Sequence, residues 1–150
     1  MDVQPVIDHL RRALTGLRSV GGAAEFDAAV DGTVTPPCAF VLPLQETATP
    51  NGMLGVHEQR VTLAFGVVHV VMNRRDARGE AAMSELAPHR RALKAALMGW
   101  CPDPAQGLPV NFVSGRLLRL DNDHRLWWTD EFVFDSYERN GVCCGEEQTA

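Results

Sequence analysis

No two cysteines in this 150-residue chain stand at C-x-x-C spacing, and the four present are Cys38, Cys101, Cys143 and Cys144. Cys143 and Cys144 are adjacent, and neighbours in sequence do not easily pair with each other. A disulfide framework and a zinc ribbon are both unsupported, so reduced cysteines are expected. The histidines are His9, His57, His69, His89 and His124; no two stand at the i, i+4 spacing of a helical zinc pair, and H-E-x-x-H does not occur. A G-x-S-x-G nucleophile elbow is missing. Gly21-Gly22 and the glycines at 52 and 55 fit neither a P-loop nor a dinucleotide fingerprint. An excess of basic charge is missing too: the formal net charge is -5, which disfavours wholesale binding to DNA or to an anionic membrane. No run approaches the roughly 20 apolar residues that span a bilayer, and the first residues are polar and acidic, unlike a signal peptide. The expectation is a cytoplasmic protein, or one assembled in a cytoplasm.

What is present is an ordinary globular composition, 45% hydrophobic and 22% charged, at a length that buries one core without staples. A single domain over residues 1–139 is expected, with 140–150 as a flexible tail. No internal repeat or low-complexity segment interrupts it. Val6, Ile7, Leu10, Leu14 and Leu17 recur at helical spacing after Pro5, so a helix is predicted over about Val3 to Thr15, with Gly16 as its stop. Leu17 to Val20 reads as a short extended piece. Ala23 to Val30 reads as a second helix. Cys38 to Leu42 is a nearly continuous apolar run, as in a strand covered on both faces, and Pro43 suggests its end or an edge. Gln45 to Gln59 is polar around Pro50-Asn51-Gly52 and reads as an exposed loop or hairpin arm that contacts a partner.

The stretch Arg60 to Leu86 forms the centre. Val61, Leu63, Phe65, Val67, His69 and Val71 share one strand face, and Thr62, Ala64, Gly66, Val68, Val70 and Met72 share the other; both become apolar by Val67, so the strand enters the interior. Gly66 marks a bulge or a close backbone approach. A charged corner, Asn73 to Gly79, follows. Helical spacing then runs from Glu80 to Gly99, with Pro88 as a disturbance. Val110 to Ser114 and Arg116 to Asp121 read as two extended pieces around Gly115, and Leu126 to Tyr137 as the last strand. Gly115 to Tyr137 is thus a hairpin. The fold class is α+β: a small mixed or antiparallel sheet of four to five strands, with two to three helices packed on it.

The chemistry-bearing residues admit plain readings. His69, on an apolar strand face, reads as a satisfied core histidine. Asp121, Asp123, Asp130, Glu131 and Asp135 could do acid/base work or bind a divalent ion. Asn122 among them favours a hairpin turn and the solvated side of a strand. Trp127 and Trp128 must point to opposite faces. One fills the core; the other packs under a helix or anchors a subunit interface. Arg74, Arg75, Asp76 and Arg78 form either a solvated turn or an arginine cluster at an interface.

Taken in order, several segments resemble a known family. They are Leu17 to Gly22, Ala39 to Leu44, Gln59 to Gly79 with its Phe65-Gly66-Val67-Val68 core, and Gly115 to Leu118 followed by Leu126 to Phe132. Together they look like the tail terminator proteins of long-tailed, siphovirus-type bacteriophages and prophages, over about Val6 to Arg139. The Cys143-Cys144 tail departs from that pattern. The resemblance implies a structural virion protein, not an enzyme, with no cofactor. It implies a ring, usually of six subunits, at the head-proximal end of the tail tube. The ring stops tube polymerisation and offers a docking surface to the head connector, and DNA passes through it without sequence-specific contact. The alternative is a head-tail adaptor, neck or tail completion protein of similar fold. No membrane is involved, and assembly takes place in the host cytoplasm. The candidate subunit or partner contacts are Arg74, Arg75, Asp76, Arg78, Trp127, Trp128, Asp130, Glu131, Asn51, Met53 and His57.

Overall fold

The computed structural model describes residues 1–32, 34–72, 80–105 and 107–140. Along these the elements are α1 (Gln4–Ala13), β1 (Ser19–Gly21), α2 (Ala23–Val30), β2 (Cys38–Ala48), β3 (His57–Met72), α3 (Glu80–Leu97), β4 (Asn111–Leu120) and β5 (Arg125–Asn140). The strands form one sheet in the order β1-β2-β3-β5-β4. Only the short β1–β2 pair is parallel; the other three pairs are antiparallel. The sheet is therefore mixed and the fold α+β, with three helices laid on it.

β3 lies in the middle because its two faces are both apolar. Phe65 and Val67 face a core built with Val6, Ile7, Leu10 and Leu14 from α1 and Leu93 and Leu97 from α3. Val68 and Val70 face the opposite side, where Ala29 and Phe26 of α2 meet Phe40 and Trp127. The period-2 alternation of a strand sends neighbouring residues to opposite layers. A helix on each side is what makes a continuous apolar run stable there. α1 is locked to α3 by His9, whose ring stacks 3.9 Å from that of Trp100 and whose Nε2 lies 2.9 Å from the Ala96 carbonyl oxygen.

Several boundaries differ from the expectation, each for a readable reason. α1 is shorter, ending at Ala13. β2 does not stop at Pro43 but runs to Ala48. β1 covers only Cys38 to Phe40, so Pro43 sits on an open edge, where a missing N–H costs little. The strand absorbs the irregularity with a register shift between Pro43 and Gln45. The expected long loop is accordingly a hairpin arm in which only residues 49–56 lie between the strands, with the Thr49 N–H still donating to the Arg60 carbonyl oxygen. Gly66 makes a close approach rather than a bulge. A Cβ there would stand 3.3 Å from the Thr129 hydroxyl and 3.4 Å from Leu44, the residue that bulges across from it. β4 is one strand, not two, and passes straight through Gly115. α3 runs through Pro88 without a break. The expected corner over residues 73–79 and the tail beyond Asn140 lie outside the described residues.

Phe132 sits at the centre of this packing. It is fully buried, with the Phe65 ring 5.7 Å away and the Phe112 ring 5.6 Å away, edge-on. Phe132→Ala should lower unfolding free energy by about 3–5 kcal/mol, measured by urea denaturation. A loss below about 1 kcal/mol would mean that this aromatic layer does not carry the core.

Candidate functional site

Two kinds of feature could carry function: a buried polar cluster and the apolar surface that the fold leaves uncovered. The cluster is centred on Asp130 of β5, which is 0% exposed. From α3, Arg90 donates through Nη2 to Oδ1 at 2.8 Å and through Nε to Oδ2 at 3.0 Å. The Trp128 indole N–H donates to Oδ1 at 3.1 Å, and the guanidinium lies 4.6 Å from the centre of the Trp128 ring. The two-pronged geometry is the strong form of this ion pair. It ties α3 to the β4–β5 hairpin, and the carboxylate's capacity is taken up by these donors. Gly115 of β4 lies against it: a Cβ there would stand 2.5 Å from Asp130 Oδ1 and 2.7 Å from Arg90 Nη2. That glycine is present because the ion pair occupies the space of a side chain.

His69 of β3 adjoins this cluster with its Nε2 3.9 Å from Asp130 Oδ2, too far for a hydrogen bond. Among the described residues neither ring nitrogen has a hydrogen-bond partner. It is thus a core histidine but not a satisfied one, as had been expected. Burial pushes its pKa down to about 4; Asp130 pulls the other way, and His89 and Arg90 add to the lowering. With Asp130 already neutralised by Arg90, the imidazole stays uncharged at neutral pH, so the contact with Asp130 is no ion pair there.

The other late carboxylates also serve the fold. Asp121 was expected on a solvated turn, yet its side chain is nearly buried. Its Oδ1 accepts from the backbone N–H of Asp123 and Arg125, and its Oδ2 from the Arg125 Nε and the Trp127 indole. Burial alone would raise its pKa, but these donors outweigh it and hold the carboxyl below the ordinary value. Asp135 is held low by Arg60, against a smaller cost of burial and with help from the Thr62 hydroxyl. Among the described residues no three His, Cys, Asp or Glu side chains are placed to hold a metal ion.

Of the residues singled out in the sequence, Trp127, Trp128 and Asp130 are drawn together in the interior, with the two indoles on opposite sides of the sheet. Trp127 is 2% exposed and fills the core under α2. Trp128 lies half-buried under α3. Neither Trp127 nor Asp130 has surface to offer a partner in this fold. Glu131 is half-buried on β5, opposite Ser114. Asn51, Met53 and His57 are far from these, on the exposed β2–β3 arm. Arg74, Arg75, Asp76 and Arg78 lie outside the described residues.

The exposed surface holds residues that sequence reading passed over. On the arm, Leu54 is fully exposed and stands beside Met53 and Val56. On β4, the outermost strand, Val113, Leu117, Leu118 and Leu120 are all exposed. The run Arg116-Leu117-Leu118-Arg119-Leu120 carries the only advance signal: its leucines fall on both parities, more than a strand with one wet face requires. That β4 is an edge could be learned only from the topology.

The comparisons with known proteins bear on these surfaces. The family model for the phage tail terminator protein matches residues 1–140. Comparison with curated proteins gives no match.

Two substitutions separate the tight glycine from an open one. Gly115→Ala should destabilise the fold by about 1–3 kcal/mol, because the methyl group must displace the Arg90–Asp130 pair. Gly52→Ala, where nothing lies within 4 Å of the new carbon, should stay within about 0.5 kcal/mol. Equal melting shifts would remove the ion pair as the reason for Gly115. For His69 the sign is fixed by linkage. Its folded pKa lies below the ordinary 6.5, so the unfolded chain binds more protons between the two values. Stability is then full above about pH 6.5 and lost as pH falls toward 4, by about 3 kcal/mol in all. Urea midpoints measured across pH 4–7 should show this slope in the wild type and a flatter one in His69→Leu.

Proposed function

This chain belongs to the phage tail terminator protein family, and from that premise we propose that it closes the head-proximal end of a tail tube as a ring. It is a structural component of a phage tail and so of the virion. In the proposed role six copies sit on the last ring of the tube, stop its polymerisation and present a docking surface to the head connector. DNA passes through the ring without sequence-specific contact. The subunit acts by binding, without catalysis or a cofactor, and assembles in the host cytoplasm.

The observation that carries this reading is a family match spanning residues 1–140. The physical chemistry supports it in two ways. A ring joined head to tail needs two unlike patches on each subunit, and the arm tip and the β4 edge are two such patches. A formal net charge of -5 also suits a passage along which DNA slides rather than sticks. Arg74, Arg75, Asp76 and Arg78 remain proposed contacts, as do the arm residues Asn51, Met53 and His57.

Removing the gene from the genome that encodes it should give tubes longer than normal by electron microscopy. Finished tails of normal length that fail to join filled heads would instead assign the chain to a head-tail adaptor role. At the arginine corner, Arg75→Glu or Arg78→Glu should weaken self-association while leaving the thermal melt unchanged. A lowered melting temperature with intact association would return the corner to a purely internal role.

A further inference from the structure

We infer that the β4 edge is the acceptor surface for a second copy of this chain, and that its occupant is the neighbour's β2–β3 arm. The inference rests on the ring reading above and names the contact that would close the ring.

β4 pairs with β5 along one side only. Among the described residues its other side has no strand partner along its ten residues. Proteins usually blunt such an edge with charged side chains, proline, bulges or a very short strand. Arg116, Arg119 and two register shifts are present between Asn111 and Leu120, but no lysine or proline interrupts its ten residues. Instead Val113 is 50% exposed, Leu117 52%, Leu118 41% and Leu120 43%. Register shifts between Phe112 and Ser114 and between Leu117 and Arg119 leave Val113 and Leu118 outside the ladder with β5. Clustered apolar side chains on an open edge mark a docking surface.

The arm supplies a matching element. Leu54 is 100% exposed, with Met53 at 50% and Val56 at 43%. These residues are held outward by Asn51. Its Oδ1 accepts from the backbone N–H of Met53 and Glu58, and its Nδ2 donates to the carbonyls of Met53 and Val56. A loop tied this way loses little further freedom on docking. The two elements also differ in charge: residues 45–58 carry no Lys or Arg, only Glu46 and Glu58, which pair within the subunit with the Met1 amino group and Arg139, while residues 111–120 carry Arg116 and Arg119 and no carboxylate.

A subunit's own arm does not reach its own edge. Leu117 stands opposite Trp128, whereas the arm tip lies beyond the His57–Asn140 pair, twelve residues further along β5. At about 3.3 Å per residue that is on the order of 40 Å. A second copy carries the missing half by construction. Because the two patches are unlike, each contact leaves one arm and one edge free to continue, and such head-to-tail contacts close into a ring when the rotation between neighbours divides a full turn.

The test uses two surface variants of the full chain. One is the edge variant Leu117→Lys with Leu118→Lys; the other is the arm variant Met53→Lys with Leu54→Lys. Light scattering after size exclusion should show wild-type rings, alone or with the tail tube protein. Each variant alone should be monomeric with an unchanged melt. An equimolar mixture should stop at a dimer, since only one arm–edge contact survives. A second measurement does not depend on the variants' assembly. With Cys143→Ser and Cys144→Ser as background, Leu54→Cys plus Leu117→Cys should give a ladder of linked subunits on oxidation. Rings that survive either variant, a mixture that stays monomeric, or an unlinked gel would overturn the arm–edge contact while leaving the ring reading intact. A wild-type chain that never assembles would overturn both.

Discussion

The pairing of β3 with β5 is the constraint on which everything else hangs. It runs from His57 opposite Asn140 to Met72 opposite Arg125 without a single shift. Every other strand attaches to one of these two, directly or through β2. The register also fixes the faces. A slip by one residue would turn each side chain to the opposite layer. Phe65 and Phe132 would leave the core under α1 and α3, and Trp127 would leave the core under α2. Asp130 would turn away from Arg90. The irregularities are pushed outward to β2 and β4, where a bulge costs little packing.

The same register creates the one expensive feature of the interior. Bringing Asp130 beneath α3 buries a carboxylate, which is tolerable only because Arg90 and Trp128 meet it with aligned donors. Gly115 makes room for that pair, and His69 is the neighbour left without hydrogen bonds. These residues come from α3, β3, β4 and β5, and they join the helix layer to the far side of the sheet. Their chemistry is that of a fastening rather than of a reacting centre.

A sheet covered by α1 and α3 on one face and by α2 over part of the other still has edges. The β1 edge is short and lies between α1 and α2, with Val20 buried in the core of α1. Among the described residues the β4 edge and the arm have no such cover, and a large share of the exposed apolar side chains gathers there. An isolated small domain gains nothing from Leu54 in water. A subunit of a larger assembly does, because the surface is buried when the assembly forms. This is the physical link between the fold and a phage tail structural protein.

Periodicity and composition alone determined much of this chain. α2 over Ala23–Val30, the core face of α1, the two apolar faces of β3, the late hairpin and the α+β class all follow from which residues can hide their side chains at period 3.6 or 2. The opposite placement of Trp127 and Trp128 was equally legible, since alternation along a strand is local geometry. Other features depend on residues far apart in sequence, and no local pattern encodes them. Asp130 reads as one of several turn-region acids until β5 brings it under Arg90, forty residues away. Gly115 reads as a break until the ion pair is seen filling its space. Pro43 reads as a strand end or an edge, and only the shortness of β1 decides for the edge. The four apolar residues of β4 carry no reading of their own until the strand order places them outermost. Local propensity decides what each segment is; only tertiary packing decides which surfaces remain uncovered, because that depends on strand order and on contacts between residues far apart in the chain.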